Sequence, residues 1–518
     1  ILIVTLFLSN VLGMLRDHFL AQKIPTTFLD TYYAAFRLPD MIFNLLVLGA
    51  ISSAFIPVFT SYISHKKEQE AWHITNSFLN LAILGLIVFA IILAIFMPNL
   101  VPLMVRDFTP EKKELTIELA RAMLLSPIFF GISYIFGAVL NSKKRFLAYS
   151  ISPLVYNLSI IIFTLLLADK LGVWGVVYGV IAGAFFHLLI QLPTVIKLGF
   201  RYKMVLDWKN EGVRKIFSLM LPRTIGLGAN QVMLLVYTFI ASTLTAGSIA
   251  IFNLADNIQT MPLVVFGTSF STAIFPTLSE LASLKKFDDF ISYLMRVLRV
   301  IIYLLIPSTV GIILLRAQIV RLILGSGYFG WQQTINTADT LGLLAISLLA
   351  QGVVILLARS FYALHNTKTP MIISLISIII SIGAGFYFAS IYGVKGLGLA
   401  CSLGSIVSVV LLYAIFRRNM PQLKNQDRQL GIFILKILAS SIVMAVGVQI
   451  SKYYLGSIVD MTRFWGVLVQ LVGSIIVGSI VYLLSTWVLR CKEIEDIIEL
   501  VKKYFSQKTS FDSSNRKV

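Results

Sequence analysis

Arginines, carboxylates and carboxamides stand in stretches of this chain that are otherwise almost wholly apolar. The densest group comes first: Asn10, Arg16, Asp17 and His18, then Asp30, Arg37, Asp40 and Asn44. A second group lies near mid-chain, with Arg223 and Gln231 followed by Asn253, Asp256, Asn257 and Gln259. Charge at membrane depth costs roughly 2.5–3.5 kcal/mol on insertion scales, so it usually faces a cavity. Arginines placed there suit an anionic ligand, phosphate above all, because the guanidinium fork donates paired, charge-assisted bonds. Carboxylates beside them can orient the arginines or exchange with cations. The structural alternative is that Arg16 pairs with Asp17 or Asp30, and Arg37 with Asp40, to hold bent helices. Arg121 and Arg359 lie near span ends, where long side chains snorkel, and the isolated His187 and His365 suit packing or loop roles. The candidate ligand-binding set is therefore Arg16, Asp17, Asp30, Arg37, Asn44, Arg223, Gln231, Asp256 and Asn257.

Motifs of soluble chemistry are absent from the sequence: no Walker A run, no HExxH, no dinucleotide fingerprint, no Cys/His cluster. Cys401 and Cys491 cannot build a disulfide framework or a zinc site. No catalytic residue, metal or cofactor is expected, although a coupling cation such as Na⁺ is compatible with the carboxylates.

The elements that must position these side chains follow from composition. Of 518 residues 58% are hydrophobic and 13% charged, against roughly a quarter charged in soluble domains; an ordinary soluble enzyme is excluded. A span needs about 20 mostly apolar residues. Fourteen candidates lie near 1–21, 30–62, 74–98, 115–140, 149–168, 173–197, 213–244, 248–281, 290–315, 334–363, 370–391, 396–416, 430–452 and 464–489. Pro39, Pro222 and Pro262 are expected to break or bend the second, seventh and eighth spans. The chain starts at Ile1 without a methionine, so some N-terminal residues are expected to be absent. After 490 a polar, partly amphipathic stretch reads as a short surface helix with a frayed tail, and no soluble catalytic domain is expected there.

The net charge of +19 would suggest nucleic acid in a soluble protein. In an apolar chain it marks cytoplasmic loops. Alternate loops carry the excess: Lys66 and Lys67; Lys143, Lys144 and Arg145; six cations from Lys197 to Lys215; Lys285 and Lys286; Lys368; and Arg417, Arg418, Lys424 and Arg428. Both termini are then cytoplasmic, which an even number of spans satisfies. Trp174, Trp331, Trp465 and Trp487 near span ends read as interfacial belt residues.

The sequence also repeats itself. Ala54-Phe55-Ile56-Pro57 recurs as Ala273-Ile274-Phe275-Pro276, Ala138–Lys143 parallels Ala363–Lys368, and Leu171–Gly175 parallels Tyr392–Gly396. The offsets, about 219 to 225 residues, span six helices, so both copies keep one orientation about an axis along the membrane normal. The expected fold is an all-α polytopic membrane protein of about fourteen spans. Two six-helix lobes (1–198 and 199–420) are followed by two further helices (421–490) and a cytoplasmic tail (491–518). Facing lobes of this kind can enclose a polar cavity and rock about it, which is a transporter architecture.

Specific runs add a resemblance. Leu12-Gly13-Met14-Leu15-Arg16-Asp17, Leu29-Asp30-Thr31-Tyr32, Ala35–Asp40 and Gly49–Pro57 resemble the MurJ (MviN) lipid II flippases. Leu221-Pro222, Asn230-Gln231, Ala255-Asp256-Asn257 and Phe275–Ser279 continue the match over essentially the whole chain. The resemblance implies a member of the multidrug/oligosaccharidyl-lipid/polysaccharide exporter group. Such a protein flips undecaprenyl-pyrophosphate-linked peptidoglycan precursor across the bacterial inner membrane, with a lipid-tail groove on the last two helices. Membrane lipids and that substrate are the implied partners, and a monomer is expected. Arg16 and Asp17 match the family's Arg-Asp pair and Asp30 its aspartate on the second helix. The family's arginines are replaced by Asn10, Asn257 and a residue near Phe43, and Val47-Leu48-Gly49-Ala50 stands for its Gly-Glu-Gly-Ala. Arg37 and Arg223 are candidate substitutes. A polysaccharide-repeat or multidrug exporter of the same fold is the nearest rival, although drug exporters favour carboxylate-rich cavities. A non-transporting membrane scaffold and a membrane glycosyltransferase are the other readings weighed.

Overall fold

The computed structural model describes residues 2–491; the side chains at 2–4, 6, 48–53, 221–223, 225–227, 229, 424 and 425 are not among those described. The amphipathic stretch expected after 490 lies outside the described residues.

Every regular element among the described residues is helical, as the apolar runs require in lipid, where backbone groups must bond within their own segment. Fourteen long helical segments follow one another: α1 (Leu2–Lys23), α2 (26–64), α3 (Glu68–Met104), α4 (Pro110–Ser142), α5 (Phe146–Leu171), α6 (Val173–Lys197), α7 (Glu211–Ser242), α8 (Ser248–Ser283), α9 (Phe287–Leu324), α10 (331–363), α11 (Lys368–Tyr392), α12 (Val394–Asn419), α13 (Lys424–Ile458) and α14 (Phe464–Val488). Among the described residues, ten of them are long and apolar enough to cross a membrane, or eleven counting α10 with its 43° bend.

The chain packs as two compact units. The first holds residues up to 254 with 323–337 and 382–397; the second holds 255–322, 338–381 and the described residues from 398 on. Within the first, α5 and α6 form a close hairpin. A methyl at Gly179 would lie 3.0 Å from the Ile160 Cα, and one at Gly183 2.8 Å from the Tyr156 ring. Small residues let the two backbones approach. Within the second, α14 is tied to α9 at two levels. The Tyr482 hydroxyl donates to the Tyr303 carbonyl (2.7 Å), and the Gln318 amide donates to Gln470 (3.1 Å).

The internal repeat is written into the backbone more clearly than into the sequence. Both α2 and α8 pass through a π-helical turn, Phe43–Ile51 and Leu263–Thr268, shortly after Pro39 and directly after Pro262. The starts of α2 and α8 are 222 residues apart and their ends 219 apart. That difference of three equals the difference between a nine-residue and a six-residue π turn. Helices α4 and α10 each break one residue before a helical restart, at Leu124 and Ile346, without a proline at the break. In both, the serine that follows satisfies a freed carbonyl: Ser126 to Met123 (2.7 Å) and Ser347 to Leu344 (2.6 Å). Three left-handed turns also recur: Lys66 with Lys285, Lys144 with His365, and Gly172 with Gly393. Proline 222 departs from expectation, because α7 continues as one helix from Glu211 to Ser242.

Candidate functional site

Arg16 projects from the middle of α1 and is held on two sides. Its Nε and Nη2 donate to one oxygen of Asp17 at 3.0 and 2.8 Å, and its Nη1 donates to the Asn157 side chain on α5 at 3.2 Å. Asn157 is itself fixed, donating to the Ser9 carbonyl (3.3 Å) and the Pro153 carbonyl (3.2 Å). The Arg16 side chain keeps 22% of its surface exposed while Asp17 keeps 5%. A cation is thus partly reachable, and its immediate counter-charge is not. Adjacent residues on a helix rarely face one another, so the fork of Arg16 bends back onto Asp17 and leaves its other edge to Asn157. Buried Tyr32 and Tyr33 belong to the same neighbourhood, and the Tyr33 hydroxyl has no hydrogen-bond partner among the described residues.

Asp30, near the start of α2, does different work. Its carboxylate accepts from the backbone amides of Gly247 (2.5 Å) and Ala250 (2.8 Å). Those amides open α8 and have no partner inside their own helix. Asp30 therefore serves as an N-cap donated by another helix, a favourable place for negative charge at the positive end of the macrodipole. Gly247 takes φ +96° at that turn, where a β-carbon would be strained.

Arg37 reaches out of its own helix. Its Nε donates to the Thr238 hydroxyl on α7 (2.9 Å), and its Nη2 donates to the Asn253 carboxamide on α8 (2.6 Å). Three helices meet on this one guanidinium. Asn44 turns its amide onto the Asp40 carbonyl one turn back (2.9 Å). Gln231 is buried in α7. In the second unit Asp256 is partly buried and Asn257 exposed on α8. The side chain of Arg223 lies outside the described residues. The first unit thus brings Arg16, Asp17, Asp30, Arg37, Asn44 and Gln231 into one body.

Phe43, where the resemblance places an arginine, packs in an aromatic group with Phe130 (4.9 Å between ring centroids) and Tyr134 (5.3 Å). His187 stacks on Tyr134 and meets the Ser133 hydroxyl at 2.7 Å, so it is a packed, satisfied side chain. Arg121 donates to the Ala94 carbonyl (2.9 Å), and Arg359 lies over the Phe275 ring at 6.0 Å. Sequence reasoning missed Asn157 and Thr238. Asn157 had a signal, as a lone carboxamide inside an apolar helix; Thr238, which any helix can accommodate, had none. No cluster of potential metal ligands occurs among the described residues.

Comparison with known proteins adds a second line. A family model described as "Lipid II flippase MurJ" matches residues 25–469. The chain is 29% identical over 455 residues to a Rickettsia prowazekii protein named "Probable lipid II flippase MurJ", covering 86% of this chain and 88% of that one. It is 28% identical over 502 residues to the Haemophilus influenzae protein of the same name, covering 92% and 96%. Among solved structures it is similar to a lipid II flippase MurJ in an inward closed conformation, with a TM-score of 0.77 at 25% identity over 96% of this chain and 99% of that chain. An inward-facing multidrug transporter of the MATE family shares the fold at 13% identity, with a TM-score of 0.68 over 81% of this chain and 96% of that chain.

Proposed function

This chain belongs to the MurJ family of lipid II flippases, and we propose that it carries an undecaprenyl-pyrophosphate-linked peptidoglycan precursor from the inner to the outer leaflet. The observation that carries the reading is Arg16, a cation in an apolar helix, locked by buried Asp17 and by Asn157 while its side chain stays partly exposed. A fixed guanidinium of this kind matches pyrophosphate oxygens at little cost in side-chain ordering. Arg37, with Arg223, supplies further positive charge; Asp17 orients Arg16. Asn44, Gln231, Asp256 and Asn257 offer neutral or acidic contacts to the sugar-peptide head.

Transport proceeds by alternating access of two lobes, 1–198 and 199–420, while 421–490 takes the lipid tail. Asp30 closes the end of α2 onto the first turn of α8, so that opening there requires its carboxylate to leave two amides. The work is relocation of an intact lipid, with no bond made or broken. In this topology both termini are cytoplasmic and the protein is a multi-pass component of the bacterial inner membrane. Among the described residues, the non-glycine residues with positive φ are Lys66, Lys144, Lys285, His365 and Arg490, each just past a helix end that this topology puts in the cytoplasm. Basic side chains there complement both the helix C-terminus and the positive-inside bias.

The test is genetic. A host depleted of its own lipid II flippase and supplied with this chain should resume growth, and Arg16→Ala should remove the rescue at equal expression. A well-expressed chain that never rescues growth overturns the lipid II assignment. Rescue that survives Arg16→Ala overturns the phosphate clamp.

A further inference from the structure

The segment joining α6 to α7 is neither helix nor free loop. Phe200 is buried, with its ring against Trp72 (5.9 Å) and Phe136 (5.1 Å). Beyond it two asparagines of α3 hold the backbone. Asn76 donates to the Arg201 carbonyl (3.1 Å) and accepts from the Lys203 amide (2.9 Å). Asn80, one turn further along α3, donates to the carbonyls of Lys203 (2.9 Å) and Val205 (3.0 Å). The Val205 amide also donates to the Lys203 carbonyl (3.0 Å), a tight three-residue reversal with Met204 at its apex. The chain then returns along α3, where Asp207 meets the His73 ring at 3.1 Å.

This geometry fixes where the apex lies. Asn80 is the last polar residue of α3 before residues 81–97, which carry no polar side chain. Met204 is therefore pinned at the level where α3 enters its apolar run. Four large apolar side chains of the segment are exposed: Tyr202 61%, Met204 85%, Leu206 50% and Trp208 64%. Surface loops are normally polar, and contiguous exposed apolar rows mark binding surfaces. Lys203 lies within this row, Arg201 and Lys209 border it directly, and Lys197, Arg214 and Lys215 lie just beyond, against Asp207 and Glu211. Tyrosine and tryptophan favour the headgroup layer of a bilayer, and clustered lysine and arginine attract anionic lipid.

We infer that residues 201–209 form an interfacial membrane anchor: the row from Tyr202 to Trp208 seats in the headgroup layer beside α3, and Arg201, Lys203 and Lys209 bind anionic phospholipid phosphates. The anchor is a lipid site separate from any transported molecule and does not depend on which lipid is flipped. Because Asn76 and Asn80 hold it, the anchor sets the depth of α3 in the leaflet and fixes the connection leading to α7.

Cys401 and Cys491 are the only cysteines in the chain, so a full-length variant with both changed to serine accepts a single nitroxide label. Met204→Cys, labelled and reconstituted in nanodiscs of phosphatidylcholine with and without phosphatidylglycerol, is compared with Gln69→Cys at the polar start of α3. The Met204 label should favour oxygen over a nickel chelate by about threefold relative to the Gln69 label. Phosphatidylglycerol should increase that preference, and Arg201→Gln/Lys203→Gln/Lys209→Gln should abolish the increase. If the triple variant does not insert, Lys203→Gln alone, which leaves the backbone bonds to Asn76 and Asn80 in place, should halve it. A Met204 label as accessible to the chelate as the Gln69 label in both nanodiscs overturns the anchor. So does protection seen in native membranes alone, which assigns the row to a protein partner. Immersion indifferent to phosphatidylglycerol and to the cations overturns the anionic-lipid site.

Discussion

The two copies of the repeat share a backbone and divide the chemistry. Turn for turn they agree: the π segments, the breaks at Leu124 and Ile346, and the left-handed residues at Lys66 and Lys285. Even a side-chain bond is duplicated, Ser159 to the Gly179 carbonyl and Ser381 to the Ala400 carbonyl. At the charged cluster they part. Positions 219 residues beyond Arg16 and Asp17 hold Leu235 and Val236, and the counterpart of Asn157, counted from the paired serines, is Ile379. Backbone geometry is conserved because helix breaks and caps must satisfy the same carbonyls in either copy. A buried ion pair has no such obligation, since well-packed apolar residues can replace it at no loss of stability. A pair kept in one copy alone therefore points to a task done once.

The largest expected effect tests that contrast directly. Arg16→Ala strands Asp17 without its cation, and breaking a buried pair costs about 3–5 kcal/mol, less here because Arg16 is partly exposed. Growth rescue should disappear, and detergent-solubilised protein should melt earlier. Leu235→Ala in the other copy removes only a partly buried side chain, so it should lower the melt slightly and leave rescue intact. Arg16→Lys separates charge from shape: a point charge cannot reproduce the three bonds to Asp17 and Asn157, so it should fold but transport poorly. Equal loss of rescue at Arg16 and Leu235 would erase the distinction between the copies.

Asp30 comes next. Asp30→Asn keeps the volume and removes the charge from the first turn of α8, where charge-assisted bonds are worth about 1.5–3 kcal/mol. The melt should fall, and the Gly247 and Ala250 amides that Asp30 accepts from should exchange hydrogen faster. An unchanged melt would show that the helix 8 amides find water as readily as the carboxylate. Arg37 should matter less. Arg37→Lys retains the charge and loses the fork that reaches Thr238 and Asn253 together, a change of about 1 kcal/mol. A double-mutant cycle of Arg37→Lys with Asn253→Ala should show coupling, whereas Arg37→Lys with Leu235→Ala should be additive.

Much of this is legible in the sequence. Apolar run length gave the helices, and short motifs gave the repeat, because both depend on composition along one segment. Arg16 beside Asp17 was visible for the same reason. What stayed hidden depends on partners distant in sequence. Arg37 does interact electrostatically with Asp40 in its own turn, as its spacing implies; what the sequence hides is that it is also engaged by Thr238 and Asn253, about 200 residues away. Asp30 read as a partner for arginine or a cation, and it caps a helix through backbone amides, which have no sequence signature. The π turns left no trace either, since a shift in hydrogen-bond register changes no residue type. At Pro222 the break is absent: a proline costs a helix one bond, and α7 continues as one helix from Glu211 to Ser242.

The smallest expected effect falls where the copies agree. Lys66 and Lys285 each end a helix in the left-handed region, at φ 61° and 56°. The next amide closes a six-residue loop in both: Lys67 to the Tyr62 carbonyl and Lys286 to the Leu281 carbonyl, each 3.0 Å. A residue with a β-carbon pays about 1–2 kcal/mol there, and glycine does not. Lys66→Gly and Lys285→Gly should therefore each raise the melt by a comparable amount, reduced slightly by losing a cation at the helix C-terminus. Rescue should persist in both, because the loops keep Lys67 and Lys286 to hold the charge bias. Opposite signs at the two sites would mean that the turns are alike in geometry and unlike in load. The equivalence of the copies would then extend only to the path of the backbone.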